Sequence, residues 1–321
     1  MNPQPNADRA VSGAFVGQPV RRLALAAVAI AVVTWGCSNV VIKLISTSGL
    51  IASFYRLWFA IPLLWLLPII VPSMRQRLTR AWLQASVVGG ALFALHQILF
   101  FTSLKLTSVA NVSIIGALQP ALVLLVAPRM FGERVTLRAL LWSALAVLGT
   151  AIVVVGSAGM PGWSALGDVL AVANLFAFTA YFLASKQFRS QTGALEYVIG
   201  MTTVSGIVIL GVAMASGQEF LSPHGWDWPL LVFLAVLPGT LGHVLTNWAH
   251  PHVPALLVSI MLLAVPVLAC LGAAAFLDEP LALPQVAGGT VVLLAIGVLV
   301  RSAPAPAGEA LAESVAETDA P

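Results

Sequence analysis

The chain has 321 residues, 60% of them hydrophobic and only 8% charged, against about a quarter charged in a soluble domain. A mean hydropathy of +0.98 puts most of it in lipid, and the connections between apolar segments are too short for a soluble catalytic domain. The net charge of +3 marks no nucleic-acid partner, because the basic residues read as topological signals at one membrane face.

A bilayer core takes about 20 apolar residues per spanning helix. The segments 23–44, 50–71, 82–103, 108–128, 137–156, 166–188, 195–216, 228–248, 253–275 and 281–300 meet this length, so the expected fold is an all-α integral membrane protein of ten transmembrane helices. Residues 1–22 form a polar N-terminal tail and 301–321 an acidic, Ala/Pro-rich C-terminal tail, both expected to be disordered. The apolar run after Arg21 and Arg22 is full length for a span and ends in no small-x-small cleavage motif. It reads as a first helix rather than a signal peptide.

In chain order, helix 1 carries Trp35, Asn39 and Lys43 at a spacing of four, which is one face. Lys43 lies near the outer end, where it either snorkels to the headgroups or faces a cavity mouth. Arg56 lies about a turn and a half into helix 2 and reads as a second snorkelling side chain. Helix 3 contributes His96 and Gln97. Ser108, Asn111, Ile115 and Gln119 make a stripe on helix 4. Asn174, Phe178, Tyr181 and Ser185 do the same on helix 6, and Thr240, His243, Asn247 and His250 on helix 8, next to Trp248. Helices 5 and 10 have almost none. Pro120 in helix 4 and Pro266 in helix 9 remove backbone donors and are candidate hinges or static kinks. Cys37 and Cys270 lie in spans and read as small packing residues.

Twelve of the fifteen Lys and Arg residues fall on one side if ten spans start from a cytoplasmic N-terminus. The positive-inside rule then puts both termini in the cytoplasm. Residues 119–154 align without gaps to 265–300, with Pro120 on Pro266 and Glu133 on Glu279 at a shift of 146. Five spans per half is an odd number, so the halves, 23–156 and 157–300, enter the membrane in opposite senses. Glu133 and Glu279 read as acids at helix starts, where a carboxylate favours the positive helix end.

The WGCSNVVIK of helix 1, and a proline followed thirteen residues later by the glutamate of FGER in helix 4 and of LDEP in helix 9, resemble the EamA-type transporters of the drug/metabolite transporter superfamily. The resemblance covers residues 23–300. It implies two inverted five-helix repeats, alternating access, and a cavity lined mainly by helices 1, 3, 4, 6, 8 and 9. It also implies outward movement of amino acids, other metabolites or drugs across the plasma membrane.

The expected substrate-binding residues are therefore Trp35, Asn39, His96, Gln97, Asn111, Asn174, Tyr181, His243, Asn247 and Trp248, arranged as two polar clusters, one per entrance. His96 and His243 are of the residue type that titrates near neutrality and are candidates for proton coupling. No cofactor or metal is expected. A homodimer is a further expectation, with Gly288, Gly289 and Gly297 as a close-packing face on helix 10. One rival reading, a membrane-embedded transferase, would need paired carboxylates or metal ligands at mid-depth; a second, a non-transporting membrane sensor or accessory protein, leaves the repeat unexplained; and no Walker-type loop supports ATP-driven transport.

Overall fold

A computed structural model describes residues 18–70, 79–131, 137–156, 158, 162–189, 191–253, 255–279 and 281–301. Glu133, Pro280 and most of both tails lie outside the described residues. The protein is all-α and multi-spanning. Its helices are α1 Gln18–Leu44, α2 Gly49–Ile70, α3 Arg80–Leu106, α4 Val109–Gly116, α5 Gln119–Phe131, α6 Leu137–Gly156 and α7 Ala165–Phe188. They continue as α8 Ala194–Ser216, α9 Asp227–Leu234, a π-helical segment Ala235–Gly242, α10 His243–Ala249, α11 Ala255–Met261, α12 Ala264–Phe276 and α13 Leu283–Arg301.

Taken with their continuations, eight of these helices are long and apolar enough to cross a membrane, and Leu140–Gly156 and Leu283–Ala295 are shorter apolar helices. Side chains such as Ile69, Val155, Val169 and Met214 cover the outside surface. Apolar groups can face outward there because lipid imposes no hydration cost on them. Every backbone donor in lipid needs an internal partner, so chain ends near the bilayer surface are capped. Ser108 accepts from the Asn111 amide at 3.1 Å to start α4, and Ser164 from the Gly167 amide at 3.2 Å to start α7. Gly217 ends α8 at φ 66°, a left-handed conformation glycine adopts without a Cβ clash.

The proline sites interrupt three spans. Between α4 and α5 the ladder tightens, with the Leu118 amide bonded to the Ile115 carbonyl at 3.1 Å and the Ala121 amide to Leu118 at 3.0 Å. The break between α11 and α12 repeats this, with the Val265 amide on Leu262 at 3.0 Å. Each break falls just before the proline, Pro120 or Pro266, which has no N–H to give to the preceding turn. Pro238 lies inside the π-helical segment, where one inserted residue per turn absorbs the missing bond.

Long-range packing pairs α6 with α13, α3 with α7 and α8, α2 with α8, and α1 with α12. In the first pair the backbones touch: a Cβ built on Gly288 would lie 2.5 Å from the Gly149 carbonyl, and one on Gly149 2.9 Å from the Gly288 carbonyl. Small residues allow this approach in lipid, where dispersion and short-range polar contacts hold helices together. The glycine face expected on the last helix thus meets a helix of its own chain at Gly288 and Ile114 at Gly289, while Gly297 faces open space. Cys37 and Cys270 are free thiols.

Candidate functional site

The spans broken before Pro120 and Pro266 converge with α1, α2, α3, α7, α9 and α10 on a central cavity with an empty volume of about 860 Å³, part of it open to the outside. Among the expected residues, Trp35, Asn39, His96, Gln97, Asn174, His243, Pro120 and Pro266 line it. The cavity brings His96, Gln97 and His243 into one polar site, where two separate clusters were expected.

The largest departure from the sequence reading is Arg56. It does not snorkel: it is 4% exposed and lines the cavity. Its Nη1 donates to Gln97 Oε1, and its Nη2 lies 3.2 Å from His243 Nε2. The guanidinium carbon lies 5.9 Å from the Phe93 ring centre and 5.7 Å from that of Phe101, within cation–π range. Helix spacing cannot reveal such a site, because the partners come from α3 and α10. The one usable signal was an ionisable residue inside a span, which marks function more often than packing.

The network fixes proton positions. A guanidinium only donates, so His243 Nε2 is the acceptor and the ring proton sits on Nδ1. From there it faces the Tyr181 hydroxyl oxygen at 3.3 Å. That oxygen also receives Asn247 Nδ2 at 3.4 Å, and the same amide donates to the His243 carbonyl at 2.9 Å. Tyr181 and Asn247 thus stand behind His243 rather than on the cavity wall. His96 Nδ1 lies 2.7 Å from Asn174 Oδ1. An amide oxygen only accepts, so the His96 proton is on Nδ1 and Nε2 is left as an acceptor. Asn39 Nδ2 donates to Ser113 Oγ at 3.1 Å.

Aromatic rings surround this core. His243 lies 4.9 Å from Trp35 and 4.7 Å from Phe93 between ring centres, and His96 lies 4.8 Å from Phe178. Trp35 is fixed by a 3.0 Å hydrogen bond from Nε1 to the Pro238 carbonyl, inside the π-helical segment. A Cβ on Gly242 would lie 2.5 Å from that indole nitrogen, so this glycine is needed for the close approach. Gln119 also lines the cavity. Its Nε2 is buried with no partner among the described residues.

Two expected residues lie elsewhere. Trp248 packs against His252 at a 56° tilt with ring centres 5.2 Å apart and does not line the cavity. Asn111 belongs to a polar cluster at one end of the bundle, where its Nδ2 donates to Asp168 Oδ2 at 3.0 Å and its Oδ1 accepts from Gln285 Nε2 at 3.0 Å. At the same end Lys43 Nζ donates to the Leu104 carbonyl at 3.0 Å and the Thr107 carbonyl at 2.6 Å. It also pairs with Glu279 at 3.4 Å. Glu279 Oε2 accepts from the Val109 amide at 3.0 Å, so this acid caps α4 of the first half rather than the helix that follows it. Asp227 takes the Ser46 amide at 2.7 Å. Lys105 Nζ reaches the Ile45 carbonyl.

A family model described as the EamA-like transporter family matches residues 22–155 and again 165–301. Among curated proteins, the chain is 29% identical to a probable terminal-alkyne amino-acid exporter of Streptantibioticus cattleyicolor over 112 residues, 34% of this chain and 38% of that protein. It is 26% identical to the pseudopaline exporter CntI of two strains of Pseudomonas aeruginosa over 184 residues, 57% of this chain and 63% of that protein. The matched stretches span less than two thirds of the length of each of these relatives. A solved crystal structure superposes with a TM-score of 0.66 at 18% identity, covering 89% of this chain and all of the other. At that identity the likeness concerns the fold.

Proposed function

The chain belongs to the EamA-like transporter family, and from that premise we propose that it is a secondary transporter exporting a small amphipathic solute, an amino acid or a related metabolite. The observation that carries this reading is the central cavity at the two broken spans, with polar groups and aromatic rings on the same wall. Such breaks near mid-membrane are where secondary transporters bind their cargo. Both of these relatives are described as exporters, which supports the direction.

The proposed architecture is ten helices in two inverted five-helix repeats, with domain limits 23–156 and 157–300 and both termini cytoplasmic, in the plasma membrane. Three features support it: the two successive family matches, the matching breaks before Pro120 and Pro266, and the one-sided placement of Lys and Arg. Alternating access follows if the halves rock about these breaks. The proposed binding set keeps Trp35, Asn39, His96, Gln97, Asn174 and His243 at the solute, with Tyr181 and Asn247 orienting His243. Asn111 holds the end cluster instead.

Purified protein in liposomes, loaded with candidate amino acids and run with and without a pH gradient, tests the reading. Saturable, protein-dependent movement of a solute is the expected outcome. Permeability equal to that of empty liposomes across the panel counts against it.

A further inference from the structure

We infer that Arg56 is the anchor for a carboxylate on the transported solute, so that the cavity selects acids over amines. The inference rests on the transporter reading and adds the chemical class of the cargo. A guanidinium removed from water is costly unless an anion and further hydrogen bonds replace its hydration. Arg56 is buried among neutral partners only, the Gln97 amide, the His243 ring nitrogen and two aromatic faces. Among the described residues no carboxylate pairs with it, and none lines the cavity.

A second observation points the same way. Gln119 is 2% exposed, lines the same cavity, and has Nε2 buried with no acceptor among the described residues. One buried cation and one orphaned donor among the residues of a single cavity call for an oxyanion. Arginine meets a carboxylate with two parallel N–H groups, and an acid entering here supplies the anion that Arg56 lacks among the described residues. The apolar remainder of the solute meets Trp35, Phe100 and Phe178 on the same wall. A cationic solute finds no counter-ion and is repelled by the guanidinium.

Three probes separate the charges: L-norleucine, N-acetyl-L-norleucine, which keeps the carboxylate and loses the ammonium, and L-norleucinamide, which does the reverse. Binding is read by calorimetry on detergent-purified protein, and movement in liposomes. Expected is binding of both acids about tenfold tighter than of the amide. That preference disappears in Arg56→Gln and is partly kept in Arg56→Lys, with monodisperse elution showing that each variant folds. Equal binding of acid and amide by the native protein, or an undiminished preference in Arg56→Gln, overturns the anchor. Acid-selective binding without movement overturns the transporter reading and leaves the anchor standing. Movement of acids and amide alike does the opposite.

Discussion

Lys43 and Glu279 lie 3.4 Å apart across the seam between the first and the last thirds of the chain. The lysine also holds two carbonyls at the end of α3, and the glutamate the first amide of α4. One pair therefore ties α1, α3, α4 and the segment before α13 into a latch at this end of the bundle. An ion pair with this degree of exposure contributes about 1 kcal/mol or less, about a fivefold change in a two-state population at most. Glu279→Gln removes the charge and keeps an acceptor for the Val109 amide; Glu279→Ala removes both. Labelling of a cysteine placed at Asn39 from this side is expected to quicken in both variants, more in Glu279→Ala. Unchanged labelling rates in both argue that the pair only fastens a static end.

His243→Ala is expected to cut transport about tenfold or more. It leaves an Arg56 N–H and the Tyr181 oxygen short of a partner. An unsatisfied buried group costs about 1–3 kcal/mol, so melting in detergent should fall as well. His243→Gln, which offers an acceptor at similar reach, should recover part of both. Native flux and native melting in the alanine variant would show that the contact is incidental.

The two tryptophans should separate cleanly. Trp35 lines the cavity and is hydrogen-bonded to Pro238, so Trp35→Ala is expected to raise KM for an apolar substrate about tenfold. Trp248 packs against His252 away from the cavity, and Trp248→Ala should leave KM within about twofold, since it removes no contact with a bound solute. Initial rates over a concentration series decide it, and a reversed order would relocate the binding surface.

Gly288→Ala and Gly211→Ala make a matched stability test. A methyl on Gly288 meets a backbone carbonyl at 2.5 Å, which has no rotamer to escape into, and such overpacking costs about 1–3 kcal/mol. A methyl on Gly211 in α8 meets nothing within 4 Å and gains helix propensity. Thermal unfolding in detergent should drop for the first variant and hold or rise for the second.

Hydropathy made the spans legible because each needs an uninterrupted apolar length, and the observed ends depart from the expected ones by a few residues. Pro120 and Pro266 were legible as weak points, because each removes a backbone donor. Whether a span tightens, as before Pro120, or widens into a π turn, as at Pro238, depends on neighbouring backbone and is not written in spacing. Arg56 was misread and Lys43 left between two readings for the same reason. Each seemed within reach of the surface along its own helix, yet its partners lie on helices distant in the chain. Asn111 shows the converse: it shares a helical stripe with Gln119, yet only Gln119 lines the cavity.

The backbone contact between Gly149 and Gly288 has a consequence for how evolution can alter this protein. Helices α6 and α13 are clamped carbonyl to glycine, and neither supplies a residue to the cavity wall. They act as a fixed buttress, tolerant of varied apolar side chains toward lipid but of nothing larger than hydrogen at the clamp. Variation in what the carrier accepts must accumulate on the other helices, while this pair answers only for rigidity.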